Sequence, residues 1–176
     1  GGSGTVYLKD RAQDYGSLEI INQRDFSATD EETIINSTFL DGDSLVELII
    51  SNGSDVDINS YLNLTTLRVL EGSKLTHGDN SDSDLYRINI TAVNVTVDES
   101  STIDVLSMGY SGGNGPGKGT GTDSAGSYGG TGGETTLGPY GSIISPLDLG
   151  SGGQDAAGDG GGVILLNVSN TLNITG

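Results

Sequence analysis

The chain has 176 residues, enough for one domain, with no cysteine, 30 glycines and only 33% hydrophobic residues, against a usual apolar share of about 45–50%. Its net charge of −17, from 24 acids and 7 bases, argues against nucleic acid and anionic lipid, which both need clustered Lys and Arg. The lack of cysteine and the single histidine remove the usual members of disulfide frameworks, zinc sites and nucleophilic triads, and no apolar run reaches the ~18 residues of a membrane span.

Taken in chain order, the first segment is Gly1-Gly-Ser-Gly-Thr-Val-Tyr-Leu-Lys9. It has no charged and apolar leader pattern, so any signal peptide is expected to be absent, removed or far upstream. Val6 and Leu8 alternate with Thr5, Tyr7 and Lys9, which is strand periodicity. Asp30-Glu-Glu-Thr-Ile-Ile35 offers acids for a short helix start, while Ile34-Ile35 fits a strand equally well. From there the β-branched residues alternate at period 2. Val56 and Ile58 share one face; Ile88, Ile90, Val93 and Val95 are assigned inward, leaving Asn89, Thr91, Asn94 and Thr96 outward.

A repeat runs through this region. Ser51–Ile58 aligns with Leu70–His77 and with Val97–Val105. Each copy has a turn pair (Gly53-Ser54, Gly72-Ser73, Ser100-Ser101) followed at fixed offsets by two apolar positions, namely Val56 and Ile58, Leu75 and His77, Ile103 and Val105. A fainter copy is Ser169-Asn170 with Leu172 and Ile174. Irregular repeats of about 20–30 residues built on short strands predict a β-solenoid; an antiparallel sandwich is the second candidate.

Residues 109–162 hold 21 of the 30 glycines. Turn chemistry at Gly115-Pro116-Gly117, tyrosines at 110, 128 and 140, and the apolar stretch Ile143–Leu149 predict a partly ordered excursion, not a free linker. Ile143, Ile144, Leu147 and Leu149 are its expected anchors. Val163-Ile-Leu-Leu then resumes strand-like sequence.

These segments together resemble a recurring module of very large secreted or cell-surface bacterial-type proteins. The resemblance rests on Gly1–Lys9, Tyr15-Gly-Ser-Leu, Leu75-Thr-His77, Leu85–Ile90, Thr96–Val105, Met108-Gly-Tyr110, Ser127–Gly130, Pro139–Ser142, Pro146–Gly153 and Gly160–Leu165. It implies an all-β fold, a right-handed parallel β-helix with a long glycine-rich, partly ordered insertion, used in tandem and without catalytic residues. The many outward asparagines depart from the pattern. The expected organisation is one module over 1–176: rungs at 1–108, the glycine-rich excursion at 109–162 and a closing rung at 163–176.

Several residues are candidates for chemistry. Seven asparagines begin Asn-x-Ser/Thr sequons, Asn36, Asn52, Asn63, Asn89, Asn94, Asn167 and Asn173, where about three would arise by chance. They are candidate N-linked glycan acceptors, against the alternative of an Asn/Thr-rich surface. Asp79, Asp82 and Asp84 share one loop, and Asp41/Asp43 and Asp55/Asp57 are close pairs. Calcium is the cofactor they would suit, but none has the spacing of a calcium loop. His77 takes an inward position and reads as a packing residue. The functional expectation is a structural module of an extracellular fibre, stalk or filament, joining copies of itself or tandem neighbours. A surface-glycan adhesin using Tyr110, Tyr128 and Tyr140 is the alternative, and a polysaccharide-active enzyme the third reading.

Overall fold

The structure is a computed structural model, and it describes residues 4–9, 16–22, 32–36, 45–154 and 158–175. The expectations placed on Gly1-Gly-Ser, Asp10, Tyr15, Asp30-Glu31, Asp41/Asp43 and Gly176 lie outside the described residues. Ten strands and no helix form among those described: β1 (Gly4–Leu8), β2 (Gly16–Ile21), β3 (Thr33–Ile35), β4 (Leu45–Ser51), β5 (Asp55–Ile58), β6 (Leu62–Val69), β7 (Lys74–Thr76), β8 (Ile88–Val97), β9 (Thr102–Ile103) and β10 (Ile164–Ile174). Ile34 and Ile35 are therefore strand, the β-branched pair prevailing over the acidic helix start.

The strands form a six-stranded sheet, ordered β1-β2-β4-β6-β8-β10, and a four-stranded sheet, ordered β3-β5-β7-β9. This corrects the expected fold class. Among the described residues no closed solenoid and no right-handed parallel β-helix is formed, and the larger sheet is mixed because β1 pairs antiparallel with β2. The period-2 pattern that marks β1 as a strand carries no direction, since an antiparallel strand alternates in the same way.

The chain divides into two compact units. The first comprises 1–76, 88–104 and 166–176, and the second 77–87 and 105–165. In the first, parallel pairing brings identical kinds of side chain into rows. Leu18, Leu48, Leu67 and Val95 are in register across β2, β4, β6 and β8, as are Ile20, Ile50, Val69 and Val97. All eight are buried. In the smaller sheet Val56 pairs with Leu75 and Leu75 with Ile103, the offsets of 19 and 28 residues read from the repeat.

β4, β6 and β8 each step out of phase once. Val46-Glu47, Thr65-Thr66 and Val93-Asn94 are consecutive residues outside the core, between the buried Leu45 and Leu48, Leu64 and Leu67, Ala92 and Val95. Registers Leu64↔Ala92 and Leu67↔Val95 align the steps of β6 and β8. The step reverses one sequence assignment: Ala92 is buried and Val93 exposed. Leu172 and Ile174, on the edge strand β10, are likewise exposed.

Two turns of the repeat share one backbone form. Asn52-Gly53 and Glu71-Gly72 are consecutive left-handed residues, with φ of 59° and 72°, then 57° and 76°. This is the geometry in which glycine carries no Cβ penalty. The third turn, Asp98–Ser101, contains no residue of positive φ. It folds instead around Asp98, whose Oδ1 accepts from the Ser100 amide at 3.0 Å and the Ser100 hydroxyl at 2.9 Å.

The second unit is built differently. Among the described residues between Val105 and Val163 only isolated bridges and no strand form, yet successive amides reach three separate segments. Gly109 N donates to Gly160 O (2.8 Å), Tyr110 N to Gly150 O (3.0 Å) and Ser111 N to Ser81 O (2.7 Å). A β-strand sends its amides to two sides; three directions in three residues fit an extended segment with three residues per turn. Backbone hydrogen bonds between separate segments hold the described residues of the excursion together.

Candidate functional site

Within the first unit the turns are stitched together by side chains. The Ser54 amide donates to the Ser73 hydroxyl and the Ser73 amide to the Ser101 hydroxyl, both at 3.2 Å. Gly72 N donates to the Ser100 hydroxyl at 2.8 Å, and Glu71 N to Asp98 Oδ2 at 2.6 Å. Each turn thus satisfies backbone donors of the one before it, which would otherwise be left open at a bend in the chain. The donated bonds hold the Asp98 carboxyl at about 2, below its ordinary 3.8. The serines were visible in the sequence as turn residues. Their use as acceptors between repeats was not, although their recurrence at one position was the signal.

Asp57 is the one buried carboxylate among the described residues of this unit. Burial first, and then Glu32, push it up to about 6; Lys74 acts the other way and Asp55 with Glu32. Its Oδ1 has no hydrogen-bond partner among the described residues. Asp55 lies beside Lys74 in the strand register. Of the Asp55/Asp57 pair, Asp57 is the buried member and the one whose carboxyl is pushed up. No cluster of three metal-ligating residues forms among the described residues.

Asp79, Asp82 and Asp84 are each occupied locally. Asp79 accepts from the Ser81 amide and hydroxyl, both at 3.0 Å; Asp82 accepts from the Ser83 hydroxyl; Asp84 pairs with Arg87 at 2.5 Å. The buried centre of that loop is Asn80, which sequence reasoning passed over. Its Oδ1 accepts from the Leu85 and Tyr86 amides at 2.8 and 2.7 Å, and its Nδ2 donates to Tyr86 O at 3.0 Å and Met108 O at 2.7 Å. One amide side chain therefore closes the loop and ties it to the start of the glycine-rich segment.

The tyrosines of that segment serve its packing. Tyr128 and Tyr140 meet edge to face, with centroids 5.2 Å apart and planes at 88°. The Tyr140 hydroxyl donates to Leu149 O and accepts from the Ser151 hydroxyl, which in turn accepts from Gly117 N at 2.9 Å. Burial raises the Tyr140 hydroxyl above the ordinary tyrosine value. Tyr110 is half-buried, and burial raises its hydroxyl as well. Of the expected anchors Leu149 is fully buried, whereas Ile143 and Ile144 are 77% and 91% exposed and Leu147 is exposed. A continuous apolar stretch in sequence thus supplies one anchor and a bare tip.

Among the sequon asparagines, Asn63, Asn167 and Asn173 are exposed and Asn36, Asn52, Asn89 and Asn94 half-buried. Asn52 donates to Asn22 O, and Asn94 Oδ1 accepts from Asn170 at 2.8 Å. His77 is fully buried, with both ring nitrogens engaged.

No protein-family model matches the chain, and no curated protein or solved structure matches it.

Proposed function

We propose that this chain is a structural module of the cell exterior, part of a stalk, fibre or filament, which joins copies of itself along the free edges of its six-stranded sheet. The observation that carries this reading is the in-register column of strands whose turns are stitched one to the next by Ser73, Ser101, Ser100 and Asp98. Such stitching resists separation of neighbouring strands. The two edge strands, β1 and β10, contain no charged residue in a chain of net charge −17. They lack the lysines and prolines that commonly block strand addition. Asn63, Asn167 and Asn173 are the sequon sites best presented for glycans.

Electron microscopy of the purified chain over a range of concentration and salt tests the assembly. Filaments or end-joined oligomers favoured by salt are expected, because salt screens repulsion between acidic copies. Discrete monomers under all conditions overturn it. Intact-mass measurement of protein from its native source tests the glycans.

A further inference from the structure

We propose that His77 is a proton-operated latch on the base of the glycine-rich excursion. The excursion leaves at Val105 and returns at Gly162, where the Gly162 amide donates to Val105 O at 2.9 Å. His77 closes the same junction from the side. Its Nδ1 lies 2.8 Å from the Gly78 carbonyl, which can only accept, so Nδ1 carries the proton. Its Nε2 lies 3.2 Å from the Val163 amide, which can only donate, so Nε2 presents a lone pair. The partners thus fix a neutral ring with the proton on Nδ1.

The ring has no alternative seat on the Gly162 side. A Cβ at Gly162 would collide with Nε2 and lie 2.9 Å from Val105 Cβ. Glycine is required there because the imidazole occupies the space. Protonation of Nε2 would set an N–H against the Val163 N–H, replacing a bond with two opposed donors in a buried place. Val105, Gly162 and Val163 carry no charge that would offset it. On the loop following His77 stand Asp79, Asp82 and Asp84, with Arg87 bound to Asp84. Burial, and to a lesser degree Arg87, hold the imidazole below its ordinary 6.5, while the Gly78 carbonyl acts the other way.

The sign follows. A folded state that keeps the ring neutral has its full benefit above the ordinary histidine value and loses it as pH falls through the lower folded value. The latch is shut at neutral pH and released in acid.

His77 is the only histidine, so its imidazole resonances in the full chain are unambiguous. Titrating from about pH 7 to about pH 4 should first show the Nδ1–H tautomer, then protonation. Over the same pH range the Val163 and Gly162 amides, corrected for intrinsic exchange, should lose protection by about tenfold or more. Tyr110 and Gly150 amides supply the reference within the same unit. His77→Gln keeps an acceptor without a titrating group and should flatten the response while retaining protection. Val163 protection that does not move as His77 titrates overturns the latch. So does an Nε2–H tautomer at neutral pH, or a His77→Gln variant with the wild-type pH response.

Discussion

The two units exclude water by opposite means. In the first, rows of Leu, Ile and Val contributed by successive strands form the core; Leu48, Ile50, Leu67 and Leu75 are fully buried. In the second, the closest approaches are backbone on backbone: a Cβ on Gly160 would fall on the Gly150 carbonyl, and one on Gly132 would meet Gly126 O at 2.5 Å. Only a few side chains, among them Leu149 and His77, are fully buried there. The first unit relies on the hydrophobic effect. The second relies on satisfied backbone hydrogen bonds, which hold only while the segments remain close enough to exclude water.

The comparison predicts opposite sensitivities to the same class of change. Leu67→Ala removes a fully buried side chain from the middle of a row and should destabilise the first unit by about 2–5 kcal/mol. Amide exchange across β4, β6 and β8 measures it; a loss below 1 kcal/mol would break the account of that core. The second unit should instead fail on gain of a methyl group. Gly160→Ala places a Cβ against the Gly150 carbonyl, which also accepts from Tyr110 N, beside the Gly160–Tyr110 bond. A loss of about 1–3 kcal/mol is expected, as for overpacking in a core, read at the amides of Tyr110, Gly150 and Gly160. Full tolerance would show that the glycines there are not required for close approach.

A smaller effect sharpens the electrostatics of the first unit. Asp57, pushed up to about 6 from 3.8, binds more protons folded than unfolded between those values. Its contribution therefore favours the fold most below pH 3.8, and weakens until pH passes about 6. Asp57→Asn should remove that slope and stabilise the unit at neutral pH by about 1–2 kcal/mol. Asp98 has the reverse sign: its folded value of about 2 gives a benefit present above 3.8 and lost as pH falls. Denaturation midpoints between pH 3 and pH 7, compared for wild type and Asp57→Asn, check the slope.

The repeat was legible because side chains wrote it. A parallel row needs an apolar residue at the same place in each copy, so Val56, Leu75 and Ile103 could be aligned before their register was known. The direction of β1 and the phase steps at Thr65-Thr66 and Val93-Asn94 were not legible, because pairing partners determine them and one strand's own pattern does not. The glycine-rich unit hid more. Its order comes from amide-to-carbonyl bonds between residues without side chains, which leave no periodicity to read. His77 was legible as an inward residue, but its partner Val163 lies 86 positions away across the excursion. That Ile143 and Ile144 form an exposed tip was not legible either, because an apolar run does not say which of its residues pack.

The least disruptive test concerns a turn in which sequence and backbone disagree. Glu71 has φ of 57°, a region that costs a non-glycine residue about 1 kcal/mol or more. Asn52, its counterpart one repeat earlier, tolerates the same conformation better. The Glu71 side chain is exposed, and its amide rather than its carboxylate makes the bond to Asp98. Glu71→Gly therefore relieves strain while keeping the stitch, and should stabilise the first unit by about 0.5–1 kcal/mol despite glycine's greater freedom when unfolded. If the variant is instead destabilised, the left-handed turn contributes no strain, and stacking of this turn on Asp98–Ser101 rests on the Glu71 side chain. Glu71→Asn separates the two outcomes, since asparagine accepts the conformation with less loss of unfolded-state constraint.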